Sequence, residues 1–283
     1  MAKKENSFFV PLLLFLILCI LITGLKIIKE IRKESNVFAR LYIPETKIKP
    51  QLPEKIEKLP EKKRGEVAII IDDVGWNLSI IKEIEEINKP LTLSILPKAP
   101  YSEKIVKELK EKNYELFLHL PLEPEPPSQC YDKGLIKVDM DEETIKNLFE
   151  DNVRNFLPYI KGVNNHMGSL FTTEEEKMQI LLEIIKEKNL CFVDSLTNPK
   201  SCGYKIAKEM GIKTGKRDIF LDTSTKPDDI NKKIDELIKI AKEKGTAIAI
   251  GHAKETTINV LKERIADFEK NGIEIVPVTR LLH

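Results

Sequence analysis

With 42% of its 283 residues hydrophobic, the chain can bury a core, and 46 basic against 45 acidic groups leave a net charge of only +1. That balance excludes a protein whose affinity comes from a basic face laid on nucleic-acid phosphates. Four cysteines without a C-x-x-C pair exclude a disulfide-dense scaffold and a zinc ribbon, so any bound metal has to be held by histidines and carboxylates.

A short tail, 1–7, precedes Phe8–Leu25, a run without charge that approaches the length of a helical bilayer span. A signal peptide would carry a shorter apolar run and small residues at a cleavage site, whereas this run passes through Ile22, Thr23 and Gly24 straight into Lys26. An uncleaved transmembrane signal anchor is therefore expected over 8–25. Its orientation stays open. Lys3 and Lys4 before the run against Lys26, Lys29, Arg32 and Lys33 after it would keep the body in the cytoplasm by the positive-inside rule. The chemistry below instead favours a domain on the periplasmic or exterior side of the cytoplasmic membrane. From 26 to 64 the sequence is charged and carries Pro44, Pro50, Pro53 and Pro60, which predicts a semi-rigid, partly extended linker.

The remainder, 65–283, has the size of one large α/β domain. Strands are predicted at Val67–Ile71, Leu91–Leu96, Glu115–Leu120, Gly162–Met167, Leu190–Asp194, Asp218–Leu221, Thr246–Ile250 and Ile273–Val278. Between them lie helical patterns at Asn77–Asn88, Ser102–Lys112, Asp141–Phe156, Thr173–Lys188, Pro227–Lys244 and Thr256–Asn271. Runs such as Val67–Ile71 are apolar on both faces, as parallel strands covered by helices require. The fold expected is a deformed (β/α) barrel of seven to eight mainly parallel strands. Polar residues collect at the carboxyl ends of separate strands, which favours a barrel over a doubly wound sheet with one switch point. No G-x-G-x-x-G or P-loop pattern is present, which disfavours nucleotide binding.

Those strand-end residues carry the chemistry. Asp72 and Asp73 follow Ile69-Ile70-Ile71; one Asp could cap the next helix, but two adjacent carboxylates repel unless a cation or proton offsets them. Of four histidines, His119, His166 and His252 sit at predicted strand ends and only His283 lies elsewhere. Two histidines and a carboxylate form a divalent site that, with zinc, keeps a position open for water. Asp73, His119 and His166 as ligands leave Asp72 as base and His252 as acid for amide or ester hydrolysis without a nucleophilic side chain. Asn164, Asn165 and Ser169, dense in donors and acceptors, and Asp194 at the end of its strand are candidates for contacting substrate; an Asn-rich turn and a helix cap are the structural alternatives.

Ile71-Asp72-Asp73-Val74-Gly75, His119-Leu-Pro-Leu-Glu123-Pro124, Gly162-Val-Asn-Asn-His166-Met-Gly-Ser169, Phe192-Val-Asp194-Ser195 and Ile250-Gly-His252 together resemble, in this order, the motifs of the divergent polysaccharide deacetylases. The resemblance extends from Glu66 to Val278. It implies a deformed barrel and a metal-dependent hydrolase that removes acetyl groups from N-acetylated sugars, with Asp72 as base, Asp73 as ligand and His252 as general acid. The larger deacetylase family carries two His four positions apart in its second motif, where this chain has His119 and Glu123. Its third motif carries an Arg and a Pro, where this chain has Asn164, Asn165 and His166. His166 is preferred over Glu123 as third ligand because imidazole suits zinc.

Two other functions remain in view: a membrane-anchored glycan-binding protein with a structural metal and no hydrolysis, and a glycosidase working through Asp72 and Glu123.

Overall fold

The computed structural model describes residues 20–33, 65–112, 114–126 and 133–283. The chain divides into two compact units, Met1–Lys58 and Leu59–His283. In the first, 20–33 forms a helix, α1. Most of the expected anchor, 8–19, lies outside the described residues, and among the described residues no helix is long and apolar enough to cross a membrane. Helix α1 continues through 26–33, where the charge pattern predicts an extended linker. The reason is local: Lys, Glu, Arg and Ile fill that stretch without Pro or Gly, and Lys, Glu and Arg are good helix formers. The rest of the expected linker, 34–64, lies outside the described residues.

The second unit alternates strand and helix through most of its length: β1 Gly65–Val74, α2 Ser79–Ile87, β2 Thr92–Ile95, α3 Ser102–Leu109, β3 Glu115–Leu122, α4 Glu142–Val153, β4 Ile160–Met167, α5 Glu175–Glu187, β5 Cys191–Asp194, α6 Gly203–Glu209, β6 Thr214–Lys216, β7 Ile219–Phe220, α7 Pro227–Lys244, β8 Thr246–His252, α8 Glu255–Lys270 and β9 Ile273–Ile275. All pairings between these strands are parallel, in the order β6-β5-β4-β3-β2-β1-β8-β7, with β9 attached to β1. Strand β8 occupies one side of β1 from Glu66 to Asp72. The other side is shared, by β9 at Gly65–Val67 and by β2 from Ile70 onward.

Two layers of core follow from the two-residue period of the strands. Val67, Ile69 and Ile71 of β1 pack outward with apolar faces of the helices, including Ile80, Ile84, Ile234, Leu237 and Leu261. Ala68 and Ile70 point the other way, into a second cluster with Phe117, Val193, Ile248 and Ile250. Residues from four strands can share one inner cluster only because the sheet curls into an open barrel. Its lower end is closed by the chain terminus, where Val278, Leu281 and Leu282 join the inner cluster and Val278 N donates to Thr92 Oγ1 over 3.0 Å. At the other end the inner rows run on into polar residues.

Helix ends are fixed by ordinary signals. Asp141 accepts from Thr144 N over 2.8 Å at the start of α4, and α7 opens on Pro227 and closes on Gly245 in the left-handed region. Two elements escape the sequence pattern. Strand β6 is three residues, Thr-Gly-Lys, too short and too polar to show a period, and α6 is seven residues with glycine at its start.

Candidate metal centre

The inward row of β1 runs Ala68, Ile70, Asp72, that of β3 runs Phe117, His119, and that of β8 runs Ile248, Ile250, His252. Each chemical residue is thus the next inward position after a core residue. Register aligns them: Asp72 pairs with His252 and His119 with Asn164.

Asp73 follows Asp72 and by strand alternation would face the helices. Instead its φ is +59° and the β1/β2 register shifts between Ile71 and Val74, so both carboxylates turn toward the barrel mouth. Neither is used to start α2, whose first N–H, that of Ser79, donates to Asn77 Oδ1 over 2.9 Å.

Asp73 Oδ1 lies 3.1 Å from His166 Nδ1 and 3.4 Å from His119 Nε2, and the two nitrogens are 3.1 Å apart. Among the described residues these three form the cluster able to hold a metal ion. Tetrahedral zinc with bonds of about 2.0–2.1 Å needs ligand atoms about 3.3 Å from one another, which is the spacing seen. Asp73 Oδ1 is also buried without a well-directed hydrogen bond, so a cation would satisfy it. The residues present therefore fit a divalent transition metal. Burial works against the charge on Asp73, yet the two imidazoles hold its carboxyl well below the usual carboxylate range.

Asp72 stands behind this cluster and is almost fully buried. Burial pushes its carboxyl up, against the opposing pull of His119 and of Asn164. Asn164 is the hub of the support. Its Nδ2 donates to Asp72 Oδ1 over 2.9 Å and to Ser195 Oγ over 3.2 Å, and its Oδ1 accepts from Ser94 Oγ and lies 3.2 Å from His119 Nδ1. A ring nitrogen so engaged leaves Nε2 for the metal, the usual division of labour in a ligating histidine.

His252 is held by a residue that the sequence reading passes over. Asp222 Oδ1 lies 2.8 Å from His252 Nδ1, and Oδ2 accepts from His252 N over 2.9 Å and from Thr257 Oγ1 over 2.6 Å. Burial lowers the affinity of His252 for a proton, but Asp222 overcomes it and the net shift is upward. A signal was available: Asp222 follows the apolar run Ile219-Phe220-Leu221, as Asp72 follows Ile69-Ile70-Ile71. Ser94, on short β2, offered none.

Other candidates serve the scaffold. Glu123, the alternative ligand, lies outside the cluster; its Oε2 accepts from Val138 N over 2.8 Å. Asn165 ties two loops, its Oδ1 accepting from Ser195 N over 2.9 Å and its Nδ2 donating to Met167 O over 2.7 Å. Ser169 Oγ accepts from Glu125 N over 2.9 Å. Asp194 is completely buried, with Oδ1 accepting from Leu196 N over 2.8 Å and Oδ2 from Ser201 Oγ over 2.7 Å and Tyr204 N over 3.0 Å. Its geometry is that of a loop clamp and not of a substrate contact. Asp194→Ala should strand three donors and cost about 3 kcal/mol. A thermal melt should then fall by about 6–12 °C, with metal content per folded chain unchanged; an unaltered melt would contradict the clamp.

Residues 69–282 match the family described as divergent polysaccharide deacetylase. The chain belongs to that family. Among curated proteins, the chain is 34% identical to an uncharacterized protein of Haemophilus influenzae over 224 residues, 77% of each chain. It is 30% identical to the uncharacterized protein YibQ of Escherichia coli over 219 residues, covering 77% of this chain and 68% of that one. Among solved structures, an uncharacterized protein of Agrobacterium tumefaciens superposes with a TM-score of 0.70 at 23% identity, covering 77% of this chain and 89% of that one. A peptidoglycan N-acetylglucosamine deacetylase superposes at 0.51 with 12% identity, covering 77% and 88%. A CE4-family pseudoenzyme of Bacillus anthracis superposes at 0.50 with 14% identity, covering 78% and 66%. These structural likenesses establish the shared fold.

Proposed function

We propose that the domain is a metal-dependent hydrolase that removes acetyl groups from N-acetylated sugars of a cell-envelope glycan. The observation that carries this reading is the division of the site. Asp73, His119 and His166 converge on one point, while Asp72 and His252 stand outside it with partners that prepare them for proton transfer.

A divalent cation held by the three ligands, zinc by the two-imidazole donor set, supplies Lewis-acid polarisation of the acetamide carbonyl and acidification of water. Asp72 accepts the proton of the attacking water at its carboxylate, which burial has made more basic than an exposed one. Asn164 fixes that carboxylate in place. His252, with Nδ1 committed to Asp222, carries the proton for the leaving amine on Nε2. Asp73 and His252 keep 29% and 27% of their side-chain surface open, so substrate reaches the site from their side, while Asp72 and His119, at 2% and 3%, form its floor.

The raised proton affinity of His252 sets the alkaline limb of the activity profile, because the acid must be protonated to act. Asp222→Asn removes the charge that raises it. The alkaline limb should move to lower pH, with metal content unchanged; a limb that stays in place would show that His252 is not the acid.

The family reading and the buried base favour hydrolysis over simple glycan binding. Glu123, spent on Val138 N, does not favour the glycosidase reading. Acetate release from N-acetylated oligosaccharides, with sugar chain length followed in parallel, tests all three. Acetate with unchanged chain length supports the deacetylase, shortened chains support a glycosidase, and binding with neither supports a glycan-binding protein.

Placement outside the cytoplasmic membrane is part of the same reading, since envelope glycans lie there. The apolar run at 8–25 and the exposed Leu25, Ile27, Ile28 and Ile31 on α1 support a membrane anchor. Protease added to spheroplasts should digest the domain; protection until lysis would put it inside.

A further inference from the structure

We propose that a groove beside the metal cluster is a second sugar subsite, in which the indole of Trp76 stacks on the pyranose ring next to the one that loses its acetyl group. The choice of ligand rests on the deacetylase reading above. The groove encloses about 430 Å³ and is walled by Trp76, Leu96, Pro97, Pro100, Pro121 and Lys133. That volume falls in the roughly 300–1,000 Å³ range of ligand clefts. It opens at the strand ends that bear the cluster: Trp76 lies just beyond Asp73 on the β1 side, and Pro121 just beyond His119 in β3.

Trp76 is the one tryptophan of the chain and it is 55% exposed, so folding leaves a broad aromatic surface available outside the core. Its backbone is nevertheless fixed. Leu96 N donates to Val74 O and Tyr101 N to Gly75 O, each over 2.9 Å. Gly75 has φ +142°, and a Cβ there would lie 2.3 Å from Ser102 Oγ and 2.8 Å from Ala99 Cβ. Only glycine lets the Trp76 loop press so closely on the turn that follows β2. Across the groove stand three prolines with restricted backbones, so the walls are set before a ligand arrives. A flat apolar wall with a Lys133 ammonium at its rim suits a ring with apolar faces and polar edges. A pyranose is such a ring, and because Pro121 of the groove wall stands opposite His166 in the β3/β4 register, the ring would be the neighbour of the reacting sugar.

Because Trp76 is the sole tryptophan, emission excited selectively at tryptophan and not at the six tyrosines reports this groove. The full chain carrying Asp72→Asn, loaded with zinc, is titrated with N-acetylglucosamine and with its β-1,4-linked tetramer, by fluorescence and by calorimetry. The tetramer should shift the emission saturably and the monosaccharide should not. Trp76→Ala in the same background should weaken tetramer binding about tenfold, the loss expected of one aromatic stacking contact. An emission unchanged while calorimetry records tetramer binding would overturn the subsite and leave the deacetylase reading intact. Absence of tetramer binding would overturn it as well. Acetate release by wild type, measured separately, bears on the reading alone, so a responsive Trp76 with no acetate would retain the groove and discard the deacetylase.

Discussion

Asp73→Ala is expected to empty the site: bound metal should fall from about one ion per chain to a small fraction of that, and turnover should fall by at least about 10³-fold. The size of the effect follows from geometry. Asp73 supplies the only anionic ligand of the cluster, and its Oδ1 lies 3.1 Å from His166 Nδ1 and 3.4 Å from His119 Nε2. Without it His119 and His166 present two neutral donors and no charge to offset a dication. Elemental analysis after dialysis checks the metal, and Asp73→Asn, which keeps shape and removes charge, guards against a trivial folding defect. Metal content equal to wild type in both variants would remove Asp73 from the site.

Asp72→Asn should behave oppositely in one respect. The carboxylate lies behind the cluster, bonded to Asn164 and 3.5 Å from His119 Nε2, so the metal should stay while turnover drops. Loss of a general base costs about 10²–10⁴-fold. The amide occupies the same volume and spares the fold a buried charge, so the variant should melt no lower than wild type. The pair of results is diagnostic: adjacent residues, similar size, one controlling occupancy and the other only rate. If Asp72→Asn lost its metal as completely as Asp73→Ala, the division of roles between the two carboxylates would fail.

Strand existence was legible because the cues were strong and local. Val-Ala-Ile-Ile-Ile, short and rich in β-branched residues, reads as a strand buried on both faces, and the polar residues that follow such runs fall at one end of a parallel barrel by the direction of the chain. The identity of the cluster was legible for the same reason, since few histidines were available and three stood at strand ends. What a strand pattern could not show is sidedness at Asp73. Alternation assigns it to the outer face, and only the left-handed backbone there brings it beside His119 and His166. Nor does sequence separate a polar residue that meets a ligand from one that ties a loop. Asn164 and Asn165 are neighbours of the same type; the first braces Asp72, and the second bridges Ser195 to Met167. Asp194 ends β5 and Asp222 lies just beyond β7, yet the first clamps the loop after β5 and the second orients His252. The partner that decides each case is distant in sequence, so only the folded chain reveals it.

The most direct test of the account is reconstitution. Wild-type protein stripped with chelator, then given one equivalent of zinc, is assayed for acetate released from N-acetylated oligosaccharides. Acetate release should vanish on stripping and return with zinc. It should do so in wild type and not in Asp73→Ala. Release that persists in the stripped protein, or that never occurs with zinc, cobalt or manganese restored, would contradict metal-dependent deacetylation at this site.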